Sequence, residues 1–261
     1  MKRFIKIVVM LVMLCMSIGL GMVFGQDVKK EDPSQIFYNA NNYYQKQDYI
    51  KAVEQYLKLP DMGIANGNIY YNIGNCFLKL GKVGYALVCY ERAKRYIPND
   101  SDLRSNIAYA QSLADAPVSD AAAGNAVTRI LSKLYEDYSL NTMAALVLVS
   151  YLVLLLILAV FAVYPLFARR FNFIAILLAL FFVVNLTVFA MRYYNEEVIK
   201  RGIIVQNKVE CKYEPIDKST TYYTLREGNA VVILKTKDAW RQIRRPDGKI
   251  GWVLKGAVEQ I

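Results

Sequence analysis

The chain has 261 residues, 55% of them hydrophobic, a formal net charge of +10 and no histidine. The missing histidine excludes a Ser-His-Asp triad, a Cys-His dyad and any mixed Cys/His zinc site. The four cysteines, Cys15, Cys76, Cys89 and Cys211, form no CxxC pair, so neither a thioredoxin-like site nor a zinc knuckle is indicated. The positive charge is spread rather than gathered. Lys2, Arg3 and Lys6 lie at the start, residues 26–142 balance 13 basic against 13 acidic residues, and residues 191–261 carry 14 basic and 9 acidic. No single patch has the footprint of a nucleic-acid binder, and no residue pattern asks for a cofactor or a metal.

"MKRFIKIVVMLVMLCMSIGLGMVFGQ" opens with a basic stretch, continues apolar and ends on small residues before Gln26. That is the pattern of a secretory signal peptide over residues 1–25, cut after Gly25. An uncut N-terminal anchor is the alternative, and both imply export. Leu14 is too bulky for the position before a lipoprotein cysteine at Cys15.

Residues 33–112 repeat with a period of 34. Ala40 and Gly74, Tyr43 and Phe77, Ala52 and Ala86, and Tyr56 and Tyr90 are each one period apart. With Tyr70, Ile73, Gly74, Phe77, Ala86, Tyr90, Ala93 and Pro98, the second copy resembles the tetratricopeptide repeat, a hairpin of two helices. Gly74 costs the helix on the order of 1 kcal/mol relative to alanine, which is offset if it lets the second helix approach at Ala86. The first copy is looser, and Pro60-Asp61 is expected to end its second helix early. A partial third copy begins at Ser101, with Leu103, Ile107 and Ala108 as its apolar positions, and reads as the cap that an exposed solenoid end requires. "LADAPVSDAAAGN" then marks a linker over residues 113–138.

On such hairpins the first helix of each repeat lines the concave face. That places Phe37, Tyr38, Asn41, Tyr44 and Gln45, then Asn68, Tyr71, Asn72, Asn75 and Lys79, then Asn106 and Tyr109, on a surface of aromatic rings and amides with little charge. Phe37, Tyr71 and Ser105 stand where carboxylate-binding repeats hold basic residues, which argues against a terminal-carboxylate ligand. Cys76 and Cys89 fall on opposite helices of the second repeat, staggered about its turn, and read as small packing thiols. A disulfide between them is the other possibility in an oxidising compartment.

Residues 140–168 and 171–191 each hold about 20 or more uncharged residues, the length that crosses a bilayer. Pro165 ends the first, and Arg169-Arg170 sit at the bend. Short arginine-bearing loops stay in the cytoplasm, so both flanking segments are expected outside it, as the leader also requires. Ser150, Asn185 and Thr187 are the most polar residues within, and no intramembrane charge marks a transport path. Asn185 has two options, a partner helix or its own hairpin.

Residues 197–261 alternate apolar and polar, with turns at Glu227-Gly228 and Asp247-Gly248. This predicts five or six strands closing into a small all-β barrel. Leu225, Glu227-Gly228, Val231, Trp240, Pro246-Asp247-Gly248, Gly251-Trp252-Val253 and Ala257-Val258 resemble the bacterial SH3 domains. Trp252 and Val253 are expected in the core, and Trp240 partly exposed. Some barrels of that family bind peptidoglycan peptides and many are adaptors, so the resemblance implies a fold rather than a ligand.

The order of leader, repeats, linker, apolar hairpin and SH3-like module, carried by "YYNIGNCFLKLGKVGYALVCYERAKRYIPNDSDLRSNIAYA" and the segments after it, resembles the BatE-like proteins of the Bacteroides-aerotolerance group. That resemblance implies a non-enzymatic protein of the bacterial inner membrane, with repeats and SH3-like module both extracytoplasmic. It also implies partners among membrane-anchored proteins with von Willebrand A domains, in stress tolerance or envelope maintenance. A cell-wall sensor binding peptidoglycan through the C-terminal module is the second hypothesis. An enzyme is the third: carboxylate-only hydrolysis needs two acidic residues in one cleft. The adjacent pairs Glu136-Asp137 and Glu196-Glu197 read instead as solvated flanks.

Overall fold

Five helices of nearly equal length come first in the computed structural model, which describes residues 32–114 and 137–261. The leader at 1–25, Cys15, Glu136 and most of the 113–138 linker lie outside the described residues. The helices are α1 (Pro33–Gln45), α2 (Tyr49–Asp61), α3 (Gly67–Lys79), α4 (Val83–Tyr96) and α5 (Ser101–Leu113). α1, α3 and α5 begin 34 residues apart, as do α2 and α4, so the period in the sequence is a period of helical hairpins. Asp48, Asn66 and Asp100 start α2, α3 and α5 by accepting from the backbone N–H of Lys51 at 3.3 Å, Ile69 at 2.9 Å and Leu103 at 2.7 Å. Such a cap is worth about 1 kcal/mol. α4 begins after Lys82, whose side chain caps nothing.

α2 ends at Asp61, as expected of Pro60-Asp61, and is 13 residues long against 14 for α4; Pro60 lies inside its last turn, where the Met62 N–H still reaches the Lys58 and Leu59 carbonyls. Gly74 is placed differently from the expectation. Its close neighbour is Tyr90 rather than Ala86: a Cβ built on Gly74 would stand 2.5 Å from Tyr90 Cε1. The glycine leaves room for the Cδ1–Cε1 edge of the Tyr90 ring beside the backbone of α3. In α5, Leu103, Ile107 and Ala110 are buried, whereas Ala108 faces out.

Two further helices, α6 (Leu140–Val163) and α7 (Pro165–Tyr193), pack together as a hairpin joined at Tyr164. Both are long and apolar enough to cross a membrane. Pro165 occupies the first position of α7, where a missing N–H costs nothing. Arg169 and Arg170 lie within α7, just before a break at Phe171 (φ −123°, ψ 15°). Ser150 and Asn185 are buried in the hairpin, and each bonds a carbonyl of its own helix, Val147 at 2.9 Å and Phe181 at 2.8 Å.

A one-turn π-helix (Tyr194–Val198) leads into seven antiparallel strands: β1 (Arg201–Ile204), β2 (Val209–Lys212), β3 (Thr221–Leu225), β4 (Ala230–Lys237), β5 (Trp240–Arg244), β6 (Ile250–Leu254) and β7 (Val258–Gln260). Their order is β3-β2-β6-β5-β4-β1-β7. The count exceeds the five or six expected, and the sheet does not close, since β3 and β7 stand at opposite edges. The three-residue β7 pairs only with β1, and its remaining carbonyls at Val258 and Gln260 accept from Arg241 and Arg92 rather than from a strand. Gly228 and Gly248 take φ of 85° and 86° at the two expected turns. Trp252 and Val253 are buried as expected. Trp240 is buried too, at 8% exposure, against the expectation. A bulge between Ile233 and Lys235 shifts the β4–β5 register on the β4 side, while β5 stays regular, so Ile243 enters the sheet's core and Trp240, three residues away, is buried on the opposite face.

Candidate functional site

The helices α1, α3 and α5 place aromatic and amide side chains one period apart, and the contacts these make also repeat. The Tyr56 hydroxyl donates to Asn41 Oδ1 at 2.5 Å, and 34 residues later the Tyr90 hydroxyl donates to Asn75 Oδ1 at 2.8 Å. The Phe37 ring meets Tyr56 edge-on at 5.8 Å between centroids, and Tyr71 meets Tyr90 at 6.0 Å. Each repeat thus carries a ring and an amide on its first helix that together hold one tyrosine of its second helix. Asn106 of α5 extends the band, donating from Nδ2 to Asn75 Oδ1 at 2.9 Å and to the Tyr71 hydroxyl at 3.1 Å.

The expected partner residues therefore divide into two groups. Phe37, Asn41, Tyr71, Asn75 and Asn106 are half-buried and bonded to or stacked on neighbouring helices, while Tyr44 and Asn72 are half-buried beside them. Tyr38, Asn68 and Lys79 are exposed, as is Tyr109, with Tyr38 at 60% and Tyr109 at 56%. Desolvation holds the Tyr56 hydroxyl up at about 12 and raises Tyr44 and Tyr90 in the same direction. These hydroxyls are neutral hydrogen-bonding groups at any physiological pH. The band is polar, uncharged and incapable of acid–base work near neutrality.

Cys76 and Cys89 are both buried free thiols, pushed from 9.0 up to about 12 by burial. A thiolate is the nucleophile, so neither is a reactive cysteine. Among the described residues, no group of three His, Cys, Asp or Glu side chains could hold a metal ion. Of the Glu196-Glu197 pair, expected as a solvated flank, Glu197 is exposed as expected and Glu196 is not. Glu196 is paired with Arg192 at 2.6 Å, both side chains only 18% exposed, and Glu197 lies 3.7 Å from Arg95. The reason is the π-helix, which folds these carboxylates back against arginines of α7 and α4. Asp137 pairs with Arg104 at 3.4 Å.

Sequence reasoning missed the back of α4. Gly84 lies against the backbone of Ile204 and Val205, and its N–H donates to the Glu227 carboxylate at 2.7 Å. Arg92 donates to the Gln260 carbonyl at 2.6 Å, and Arg95 reaches the carbonyls of Glu196 at 3.0 Å and Ile261 at 3.3 Å. The available signals were small: a helix start at Lys82 without a capping residue, and a glycine, Gly84, in the first turn with no turn to make.

On the sheet, Tyr213 and Tyr222 have ring centroids 4.4 Å apart, Tyr222 and Tyr223 are at 5.0 Å, and the Arg245 guanidinium lies 5.0 Å over Tyr223. Tyr213 and Tyr222 are exposed.

No curated protein matches the chain. A family model, the tetratricopeptide repeat, matches residues 67–100, which are α3, α4 and the residues up to the Asp100 cap. The chain carries a tetratricopeptide repeat, and repeats of this kind point to protein–protein interaction.

Proposed function

We propose that the chain is a non-enzymatic, membrane-anchored scaffold whose repeats bind a protein partner at the envelope. The observation that carries this reading is the ring-and-amide band on α1, α3 and α5. It is uncharged and rigidly held, with Tyr38 and Tyr109 standing out from it, while the back of α4 is occupied by the chain's own sheet. A rigid surface of tyrosine and asparagine supplies contact area and adaptable hydrogen bonds at low entropy cost.

The anchor is the α6–α7 hairpin. Only 6% and 11% of its two apolar windows are buried, whereas the core helix of a soluble protein covers most of such a surface. A hairpin of two exposed apolar helices has bilayer lipid as its natural solvent. In this reading residues 140–168 and 171–191 span the inner membrane, Arg169 and Arg170 hold the bend in the cytoplasm, and the flanking parts are extracytoplasmic. Residues 33–112 dock the partner. Residues 197–261 form an SH3-like module, left open on one side because α4 covers β7. The similarity to the BatE-like proteins makes membrane-anchored von Willebrand A-domain proteins the partners to test first.

Replacing Tyr38 and Asn68 together by alanine is expected to abolish capture of such a partner while leaving the unfolding temperature unchanged. Undiminished capture by this variant would refute the assignment of the face.

The tyrosine group on the sheet favours a second reading, a cell-wall sensor. Tyr213, Tyr222 and Arg245 would stack against glycan or stem peptide. Binding of the full chain to purified peptidoglycan, lost in Tyr213→Ala/Tyr222→Ala, is the expected result under that reading, and no binding at low salt removes it.

A further inference from the structure

Two repeats are a short solenoid. Each hairpin leaves an apolar face that a neighbour must cover, and about three repeats with polar caps are the usual minimum for a stable stack. Here α5 covers one side of the second repeat. Its other exposed side, the back of α4, is covered by something that is not a helix.

The strand alternation of β1 divides its side chains between two cores. Ile204 points into the sheet with Val209, Cys211, Leu225, Val253 and Val258. Its neighbours Ile203 and Val205 point the other way, into the cluster of Ala86, Leu87, Val88, Tyr90 and Ala93. One strand therefore belongs to both cores, a placement that a loosely tethered module would not produce.

The polar contacts close the two ends of the same helix. α4 lacks a capping side chain of its own, and the first-turn N–H of Gly84 is taken by Glu227, 143 residues away. A carboxylate there also meets the positive end of the helix dipole. Toward the other end, Arg92 and Arg95 donate to the carbonyls of Gln260 and Ile261. At the Glu227 end, backbone also meets backbone: a Cβ on Gly84 would stand 2.7 Å from the Ile204 carbonyl oxygen and 2.8 Å from Val205 Cα. Only glycine permits that approach.

We infer that the C-terminal sheet is the end cap of the repeat solenoid, held on α4 by Glu227 at one end and by Arg92 and Arg95 at the other, so that repeats and sheet depend on each other for their fold. It follows that both stand on the same side of whatever the α6–α7 hairpin crosses. This inference does not rest on which partner occupies the ring-and-amide band.

The test is hydrogen exchange on the full chain in lipid nanodiscs, comparing wild type with Gly84→Leu. The expected result is exchange faster by about tenfold or more in the first turns of α4 and in β1 and β7, with β5 and β6 keeping their protection. Wild-type protection in both α4 and β1 would overturn the inference. Should Gly84→Leu lose the sheet altogether, as read from tryptophan fluorescence, Glu227→Gln and Arg92→Ala/Arg95→Ala decide. Loosening of α4 together with β7 supports the cap, and unchanged protection overturns it.

Discussion

The Tyr90 hydroxyl donates a 2.8 Å hydrogen bond to Asn75 Oδ1 on the facing helix, and Asn106 donates to the same oxygen at 2.9 Å. Asn75 is thus the node that ties α3, α4 and α5 together, and Asn41 makes the matching bond with Tyr56 one period earlier. Replacing Asn75 by alanine removes the acceptor of a fully buried tyrosine hydroxyl and leaves only Asn106 beside it. The expected cost is about 1–3 kcal/mol, read as a drop in denaturant midpoint with unchanged slope. A variant at Asn75 therefore reports on stability first, and partner binding is better probed at Tyr38 or Asn68.

Gly74→Ala sets two effects against each other. Alanine favours the helix by about 1 kcal/mol, but its methyl would stand 2.5 Å from the Tyr90 ring. That ring is fully buried and fixed by Asn75, so it has no room to swing aside. Overpacking of this kind costs roughly 1–3 kcal/mol, and the expected outcome is a net loss of stability. Equilibrium unfolding of Gly74→Ala beside Gly74→Ala/Tyr90→Phe checks the cause: the double variant frees the ring from Asn75 and is expected to recover part of the loss.

The buried thiols predict how stability depends on alkaline pH. Cys76 and Cys89 ionise at about 12 in the folded chain because burial disfavours the thiolate, against an ordinary 9.0. Between those values the unfolded chain has lost protons that the folded chain keeps, so stability falls as pH rises. The contribution is whole below about pH 9 and gone above about pH 12. The Cys76→Ala/Cys89→Ala variant is expected to show a shallower alkaline decline in chemical unfolding. At neutral pH, native Cys76 and Cys89 are expected to resist a thiol reagent that labels both promptly in denaturant.

Much of the architecture was legible in the sequence because it is local or periodic. A 34-residue period locates helices starting at Pro33, Gly67 and Ser101, and two turn sequences locate Gly228 and Gly248. The misplacements have physical reasons. Gly74 was matched to Ala86 because periodicity gives which helices face each other but not their register, and the register brings Tyr90 instead. Trp240 was expected partly exposed, and it is buried on the face of β5 opposite the core residue Ile243, which no local pattern of the strand carries. The contact between α4 and the sheet joins residues more than a hundred positions apart, such as Gly84 and Glu227, and no local pattern carries it. The residues of the ring-and-amide band all lie on α1, α3 and α5. That half of them serve the tyrosines of the second helices depends on side-chain reach across the hairpin, which spacing alone does not fix.

The central claim is that the α1–α3–α5 face binds a protein. Site-specific photocrosslinking in cells tests it most directly, with the reactive residue placed in turn at Tyr38, at Tyr109 and, as a control, at exposed Glu54 on α2. The account predicts that Tyr38 and Tyr109 give adducts with the same membrane-anchored protein and that Glu54 gives none. Adducts of equal yield at all three positions, or none at Tyr38 and Tyr109, would contradict it.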